Sequence, residues 1–551
     1  MKKTKKQRVL ALCLVSGLVM TACGTSETKE TTPAVTAAKK EVSQTAAPVA
    51  APEAQGTAEP TVLTVWVQEY AERDYNVCLQ TTYLEEKFNV DLVFEYFPST
   101  AKRDTQYALM LAEGEYPDIL LGQFTPDQIR EGVNANALMD LTDYIVDGTY
   151  YDQILKDHPE LDKMMTADDG GKYSFPYVTG DVRNVCEYKM WIRQEWLDAL
   201  GWKEAPATPE ELKEFLLQVR DQDMNGNGDA ADEIPIMGYY GGRKSDPICF
   251  LMNPFELYTE DYYYITDEGE IHFSATSDGW RKGLAYMSDL YAEGLIAEET
   301  YIQDEATFKE VLLSDATVGA FTFWNAASYR NKDSVGFPSY FTYEALAPLK
   351  GDFQQVAATL DGRPQMRSAI STQCSNPELA FEILDYMLSE EGSFMSVWGP
   401  EGTAWEWMDA PSFAGESRSI KQLVEKINDA RWNGGDTGCY VTKEMRYATA
   451  DDESQYEVST TKNHVKAAEA NEPYYVNHNV PSLVWADDEL SAEVSEYASM
   501  IKEFVGIAST EFIMGRRDIN NDSDWQDYVN ELNAMGLEDY IELLYSYYGM
   551  K

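Results

Sequence analysis

The chain has 551 residues, 44% of them hydrophobic and 12% aromatic, and exceeds the roughly 250–300 residues at which single cores divide, so two lobes or domains are expected. Its net charge is −50, with 44 Lys and Arg against 94 Asp and Glu. Beyond the N-terminus there is no basic cluster, which excludes nucleic-acid binding, since that rests on Lys and Arg neutralising phosphates, and disfavours adhesion to an anionic membrane surface.

The first element is "MKKTKKQRVLALCLVSGLVM". Lys2, Lys3, Lys5, Lys6 and Arg8 are followed by twelve largely apolar residues, 9–20. A bilayer span needs about 20, whereas a signal-peptide core needs only this many. Thr21 and Ala22 then precede Cys23. The pattern resembles a bacterial lipobox, with Met20 where Leu is usual. The resemblance implies a signal peptide over 1–22, cleavage before Cys23 and a diacylglycerol on its thiol. An ordinary secreted protein with a chance cysteine near the cut is the plain alternative. Residues 24–60 are rich in Ala, Thr, Pro and Glu and contain no aromatic residue. They cannot bury a core, so 23–60 reads as a lipid-anchored disordered linker. Five further cysteines, at 78, 186, 249, 374 and 439, form no CxxC pair. They read as buried free thiols rather than a disulfide framework or zinc site.

Folded sequence starts at "TVLTVWVQEY", where residues 62–67 read as a buried strand. A helix is expected through Leu79, Tyr83, Leu84 and Phe88, and a second strand at "VDLVFEYF". "DTQYALMLAEGEYPDILL" reads as a helix ending near Gly114, a turn at Tyr116-Pro117 and a third strand. Strands alternating with helices argue for an α/β fold with a parallel sheet. Thr208, Pro209 and Glu211 have capping-box spacing, followed by an apolar stripe of Leu212, Phe215, Leu216 and Val219. Asn376 and Pro377 repeat the start signal before Leu379, Ile383, Leu384 and Met387. From about Ser491 the pattern is mostly helical.

The strongest chemical signal is "DQDMNGNGDAADEIP", residues 221–235. Oxygen-bearing side chains alternate at Asp223, Asn225 and Asn227, with Gly228 at the sixth position. Calcium takes six to eight oxygens on a tightly curved loop with a glycine at the sharp turn. The Asp229 carbonyl, Asp232 and Glu233 would complete the shell. A second register starts at Asp221 and turns at Gly226. The loop is not a full EF-hand, because "EIPIMGYY" reads as a strand where an exit helix would stand. A solvated acidic Asn-Gly turn is the plain alternative.

Several segments together resemble the bacterial extracellular solute-binding proteins of ABC importers, family 1, and within them the LipO-type lipoproteins. They are "LAEGEYPDIL", "GKYSFPYV" with "MWIRQEWLDALGW", the calcium-like loop, "SAISTQCSNPELAFEILDYMLSEEG" and the tail from "FIMGRRDINND" onward. The resemblance spans residues 61–548. It implies an α/β, two-lobed periplasmic-binding-protein-like (type II) fold with a hinge and an interlobe cleft. The N-lobe would hold 61–173 and 368–400, and the C-lobe 174–367 and 401–551. The chain would cross between them near 173–179 and 363–368. It further implies a monomer on the extracellular face of the cell membrane of a Gram-positive bacterium, a structural Ca²⁺, and delivery of an oligosaccharide to ABC permease subunits.

Sugars present apolar C–H faces and rings of hydroxyls, so their sites want aromatic platforms beside carboxylates and amides. Gln68, Glu69 and Tyr70 follow the first strand, and ligands of open α/β sheets sit beyond strand C-termini. Trp324 in "GAFTFWNAAS" and the group Trp398, Trp405 and Trp407 in "SVWGPEGTAWEW" complete the expected ligand contacts. The acidic chain favours a mostly uncharged oligosaccharide. For each single Trp, core packing is the competing reading, and Trp191, Trp196 and Trp525 read as core. A lipid-anchored glycan-active enzyme is the rival class, and a surface adhesion or structural lipoprotein another. The carboxylates are too abundant to single out a catalytic pair. The four His carry no HExxH motif, no GxSxG occurs, and Ser459 to Lys462 fits S-x-x-K without SDN or KTG.

Overall fold

The computed structural model describes residues 59–70, 73–98, 102–179, 188–241, 244–313, 317–324, 343–357, 365–450, 456–476, 480–481 and 484–550, with the side chains of 456–463 left aside. Cys23, Cys186 and most of the expected linker lie outside them. Residues 59–551 form one compact unit, in which two four-stranded sheets each have their own core, and a three-stranded sheet and two hairpins, one of them β7 (Tyr263–Ile265) with β8 (Ile271–Phe273), complete the sheets of the described residues.

The first sheet has the strand order 369–370, 119–120, 61–68, 90–97. Strand β1 (Thr61–Gln68) pairs in parallel with β2 (Val90–Phe97), Thr61 opposite Val90 and Gln68 opposite Phe97. Strand β3 (Ile119–Leu120) flanks β1 in parallel, and β12 (Ala369–Ile370) closes the sheet antiparallel to β3. The central β1 is covered on both faces, as its run of Val, Leu and Trp requires, while β2 at the edge alternates buried and exposed. One face packs Leu63, Val65 and Val67 against Leu84, Ile154 and Leu384. The other packs Trp66, Phe97 and Leu120 against Tyr107, Met110 and Ile129.

The second sheet has the strand order 343–346, 190–193, 318–322, 234–237. Strand β5 (Met190–Arg193) runs antiparallel to β9 (Val318–Thr322) and to β10 (Tyr343–Leu346), and β6 (Ile234–Met237) is parallel to β9. Its core joins the stripe Leu212, Phe215, Leu216 and Val219 to the C-terminal helices Asp488–Ile513, Asp522–Ala534 and Leu537–Tyr547. Trp191, Trp196 and Trp525 are buried there or beside it, as expected.

A third sheet connects the two. Strand β4 (Pro176–Thr179) pairs antiparallel with β11 (Gln365–Met366), where both crossings were expected, and parallel with β15 (Cys439–Val441), which was not foreseen. One boundary therefore differs from expectation. Residues 401–450, assigned to the C-lobe with the rest of 401–551, pack on the first body. The Trp432 backbone N–H donates to Gln80 Oε1 at 2.9 Å, and its indole N–H to Thr81 at 2.8 Å. The chain reaches the second body after β15, where the helix Tyr456–Asn471 buries Ala467 against Trp191 and Phe321.

Helix starts follow the local code. Thr208 accepts from the Glu211 N–H at 3.2 Å, but the Glu211 carboxylate accepts from the Ala207 N–H, one residue earlier than a full capping box requires. Asn376 accepts from the Leu379 N–H at 3.2 Å. Cys78, Cys249, Cys374 and Cys439 are free thiols. Among the described residues no helix is long and apolar enough to cross a membrane.

Candidate ligand-binding site

The C-terminal ends of the first sheet's parallel strands meet the segment 431–438, "RWNGGDTG". Tyr70, just past β1, donates its phenol to Asp436 Oδ1 at 3.1 Å and accepts from Asn433 Nδ2 at 2.8 Å. Tyr75 donates to Asp436 Oδ2 at 2.8 Å. Burial and the neighbouring carboxylate push the Tyr70 phenol up to about 12, and burial raises Asp436 as well. Glu69 is exposed and Gln68 half-buried beside them. Tyr70 is singled out by its place after the first strand, whereas its partner Asp436 is not, although a Gly-Gly-Asp turn after a Trp was a usable signal.

Gly122, past β3, donates its N–H to the Asp436 carbonyl at 2.8 Å. Its φ is +135°, and a Cβ there would lie 2.4 Å from Arg103 Nε, so glycine is required. The Arg103 guanidinium stands 4.4 Å from the Phe124 ring centroid and 5.2 Å from that of Trp66, and burial lowers it to about 10. Arg367, next to β11, donates to the Gly435 carbonyl and lies 5.3 Å from the Tyr177 ring on β4. The strand ends thus carry aromatic faces, two guanidiniums and a carboxylate bound by phenols.

On the second body, Trp324 stands just past β9, separated from it by Phe323. Its carbonyl accepts from Lys189 Nζ at 3.3 Å, and its half-buried ring has His464 edge-on at 5.8 Å. Lys189 is fully buried. Trp324 therefore stands at a strand C-terminus, the position expected for a ligand contact in an open sheet. The rest of its loop, 325–342, lies outside the described residues.

The three-Trp turn lies on the first body. Trp398 ends the helix Glu390–Trp398 and donates its indole N–H to the Met445 carbonyl at 2.7 Å. Trp405 is buried and donates to the Gly399 carbonyl at 2.9 Å. Trp407 is half-buried, on the hairpin of β13 (Trp405–Met408) and β14 (Ser419–Gln422), with the Arg418 guanidinium 3.7 Å from its ring centroid. The structure brings these three together and places Trp324 in another body.

A cavity of about 1040 Å³ is lined from both bodies, by Asp162, Met164 and Asp168 on one side and Trp485, Leu490 and Tyr548 on the other. Trp485, which sequence reading did not single out, donates its indole N–H to the Met164 carbonyl at 3.0 Å and packs on the first body's core. Arg130 bridges to Asp488 at 3.1 Å beside it.

In the loop 221–235, Asp223 folds the chain onto itself, accepting from the Gly226, Asn227 and Gly228 N–H groups at 2.8, 3.1 and 2.8 Å. Gly226 and Gly228 take φ of +76° and +96°. The Asn225 and Asn227 amides point to Asp232 Oδ2, the Asp229 carboxylate accepts from the Ala231 N–H, and Glu233 Oε1 accepts from the Met224 and Asn225 N–H groups. The strand β6 follows where an exit helix was excluded. Among the described residues no three His, Cys, Asp or Glu side chains converge as a metal site. Yet Asp232 Oδ1 and Glu233 Oε2 are buried with no hydrogen-bond partner. Two desolvated carboxylate oxygens on one loop are costly unless a cation meets them, so the donor set fits a calcium ion with Asn oxygens supplementing the acids.

Comparison with known proteins fits this geometry. Residues 81–399 match the family described as bacterial extracellular solute-binding protein. The fructooligosaccharide ABC transporter substrate-binding protein FusA of Streptococcus pneumoniae serotype 4 is 25% identical over 410 residues, 72% of each chain. Lipoprotein LipO of Bacillus subtilis is 22% identical over 311 residues, 56% of this chain and 55% of LipO. A solved structure of FusA, an EF-hand mutant in complex with fructo-nystose, superposes with a TM-score of 0.70 at 21% identity, covering 89% of this chain and 99% of that one. An HMO binding, ABC-transporter associated solute-binding protein from Bifidobacterium longum infantis gives 0.70 at 19%, covering 89% and 99%. The architecture is that of the two-lobed, periplasmic-binding-protein-like proteins.

Proposed function

The chain belongs to the family of bacterial extracellular solute-binding proteins, and from that premise we propose that it captures an oligosaccharide between its two bodies and passes it to the permease of an ABC importer. The observation that carries this reading is the placement of aromatic and polar groups at the strand C-termini of both sheets, Tyr70 with Asp436 on one and Trp324 on the other, across a three-stranded connection. The lobes would be 61–173 with 368–450, and 188–357 with 456–550, closing about β4, β11 and β15. Gln68, Glu69, Tyr70 and Trp324 would contact the sugar, whereas Trp398, Trp405 and Trp407, expected beside them, pack with one another on the first body and are left out of this site. FusA is named for fructooligosaccharides, which supports a glycan here without fixing its linkage.

The remaining parts follow the same reading. Cys23 carries the lipid that holds the protein on the extracellular face of a Gram-positive membrane, and 23–60 tethers a monomer to it. A Ca²⁺ ion held by Asp223, Asn225, Asn227, Asp232 and Glu233, with the Asp229 carbonyl, would pin the loop before β6. It is structural, because the loop's own groups fill the shell. The relatives are binding proteins, and reversible binding without turnover is expected here too.

A glycan array probed with the chain from Gly24 onward tests the central point. At least one neutral oligosaccharide should be retained and recovered uncleaved. Cleavage of the bound glycan would favour the enzyme reading, and retention of none would remove the transport reading. Fatty-acid labelling should mark the wild type and spare Cys23→Ala. Equal labelling would remove the anchor.

A further inference from the structure

Two cavities adjoin on the first body, of about 560 and 520 Å³, within the range of small-molecule sites. They share Glu390, Phe394, Trp407 and Arg418, so the stacked Trp407–Arg418 pair belongs to the wall common to both. No residue of 188–357 or 456–550 lines either, so this is not the space between the bodies. We propose that the Trp407–Arg418 pair and the two cavities that share it form a second carbohydrate site, able to hold a stretch of neutral glycan independently of the interbody site. The proposal rests on the oligosaccharide reading only for the class of ligand.

The chemistry of the walls selects that class. Glu391 and Glu401 are among the residues lining one cavity, Glu416 and Glu444 among those lining the other, and Glu390 lines both. A polyanion is repelled by this ring. A cationic ligand would seek the Trp407 face, but the Arg418 guanidinium already occupies it at 3.7 Å. A neutral ligand rich in hydroxyls meets neither obstacle. Carboxylates accept from sugar hydroxyls, the guanidinium donates to them, and such charge-assisted bonds are the strong ones. Phe394, Trp407 and Tyr83 or Tyr440 offer flat apolar surface to the C–H faces of the rings.

The Trp407–Arg418 pair is also built differently from its neighbours. Trp398 and Trp405 spend their indole N–H on backbone carbonyls. The Trp407 indole makes no such bond among the described residues, and Arg418, exposed in a strongly acidic chain, forms no ion pair there. A guanidinium laid on an indole is itself a planar surface, so a glycan chain can pass across it from one cavity to the other.

Affinity electrophoresis of the mature chain through gels containing a β-fructan, a galactomannan or a starch-type α-glucan tests the site. At least one polysaccharide should retard the wild type. Trp407→Ala should weaken that retardation at least tenfold and Glu390→Gln at least fivefold, while calorimetric affinity for the oligosaccharide retained on the array changes less than twofold. Glu390 is exposed, so its variant keeps the test alive if Trp407→Ala unfolds. No retardation by any of the three, or equal retardation of wild type and both variants, overturns the proposal. So does a parallel loss of oligosaccharide and polysaccharide binding, which would put Trp407 in the interbody site. Retardation lost in the variants of a wild type that binds no oligosaccharide would sink the interbody reading and leave this one standing.

Discussion

Two tryptophan-bearing segments look alike in sequence and end in different structural roles. In the first body, the turn after the helix Glu390–Trp398 buries Trp405, and both Trp398 and Trp405 donate to backbone carbonyls of their own region. In the second body, Trp324 stands half-buried at the end of β9, beside Lys189 and His464. Residue type and flanking glycines do not distinguish them. Position relative to a strand end does, because a parallel strand ends at the sheet edge where ligands collect, whereas Trp398 and Trp405 sit where a helix and a hairpin pack together and their indoles bond the backbone there. The calcium-like loop holds a similar contrast in miniature: Asp223 already accepts from its own backbone, while Asp232 Oδ1 and Glu233 Oε2 are buried without a hydrogen-bond partner.

The largest expected effect separates the two segments. Trp405→Ala should cost about 4 kcal/mol of stability in urea unfolding, as large aromatic truncations in cores do. A loss in the cleft's glycan affinity without loss of stability would mean that Trp405 belongs with Trp324. Next, chelation should lower the melting temperature, since an ion at a hundredfold excess over Kd stabilises by about 2.7 kcal/mol, and Asp223→Ala should abolish that sensitivity. An unchanged melt with no metal found by elemental analysis would make the loop a plain acidic turn. Trp324→Ala should weaken glycan binding on the order of 30-fold, about 2 kcal/mol, with circular dichroism and unfolding midpoint nearly unchanged. Wild-type affinity in calorimetry would remove it from the site. The smallest effect is Trp398→Phe, which deletes one hydrogen bond to the Met445 carbonyl and should cost about 1 kcal/mol. No change in urea midpoint would show that solvent replaces the indole there.

Much of the scaffold was legible because its causes are local. The caps at Thr208 and Asn376 act over three residues, the stripe Leu212 to Val219 over two turns, and the buried run of β1 over eight residues. Strands β4 and β11 pair with each other, Gln365 opposite Tyr177 and Met366 opposite Pro176. What was not legible joins residues far apart in the chain. Tyr70 and Asp436 meet across 366 positions, Trp485 and Met164 across 321. No periodicity encodes such pairings; they follow from how whole elements dock. The same limit moved 401–450 to the first body, since the contacts of Trp432 with Gln80 and Thr81 leave no trace in local pattern.

The measurement that bears most directly on the central claim is small-angle X-ray scattering of the mature chain with and without a glycan retained on the array. Capture between two bodies about a three-stranded connection predicts a smaller radius of gyration in the saturated sample, and no such change for Trp324→Ala at the same glycan concentration, where that variant stays largely unliganded. Saturating binding, shown by calorimetry on the same samples, with an unchanged radius of gyration would contradict it.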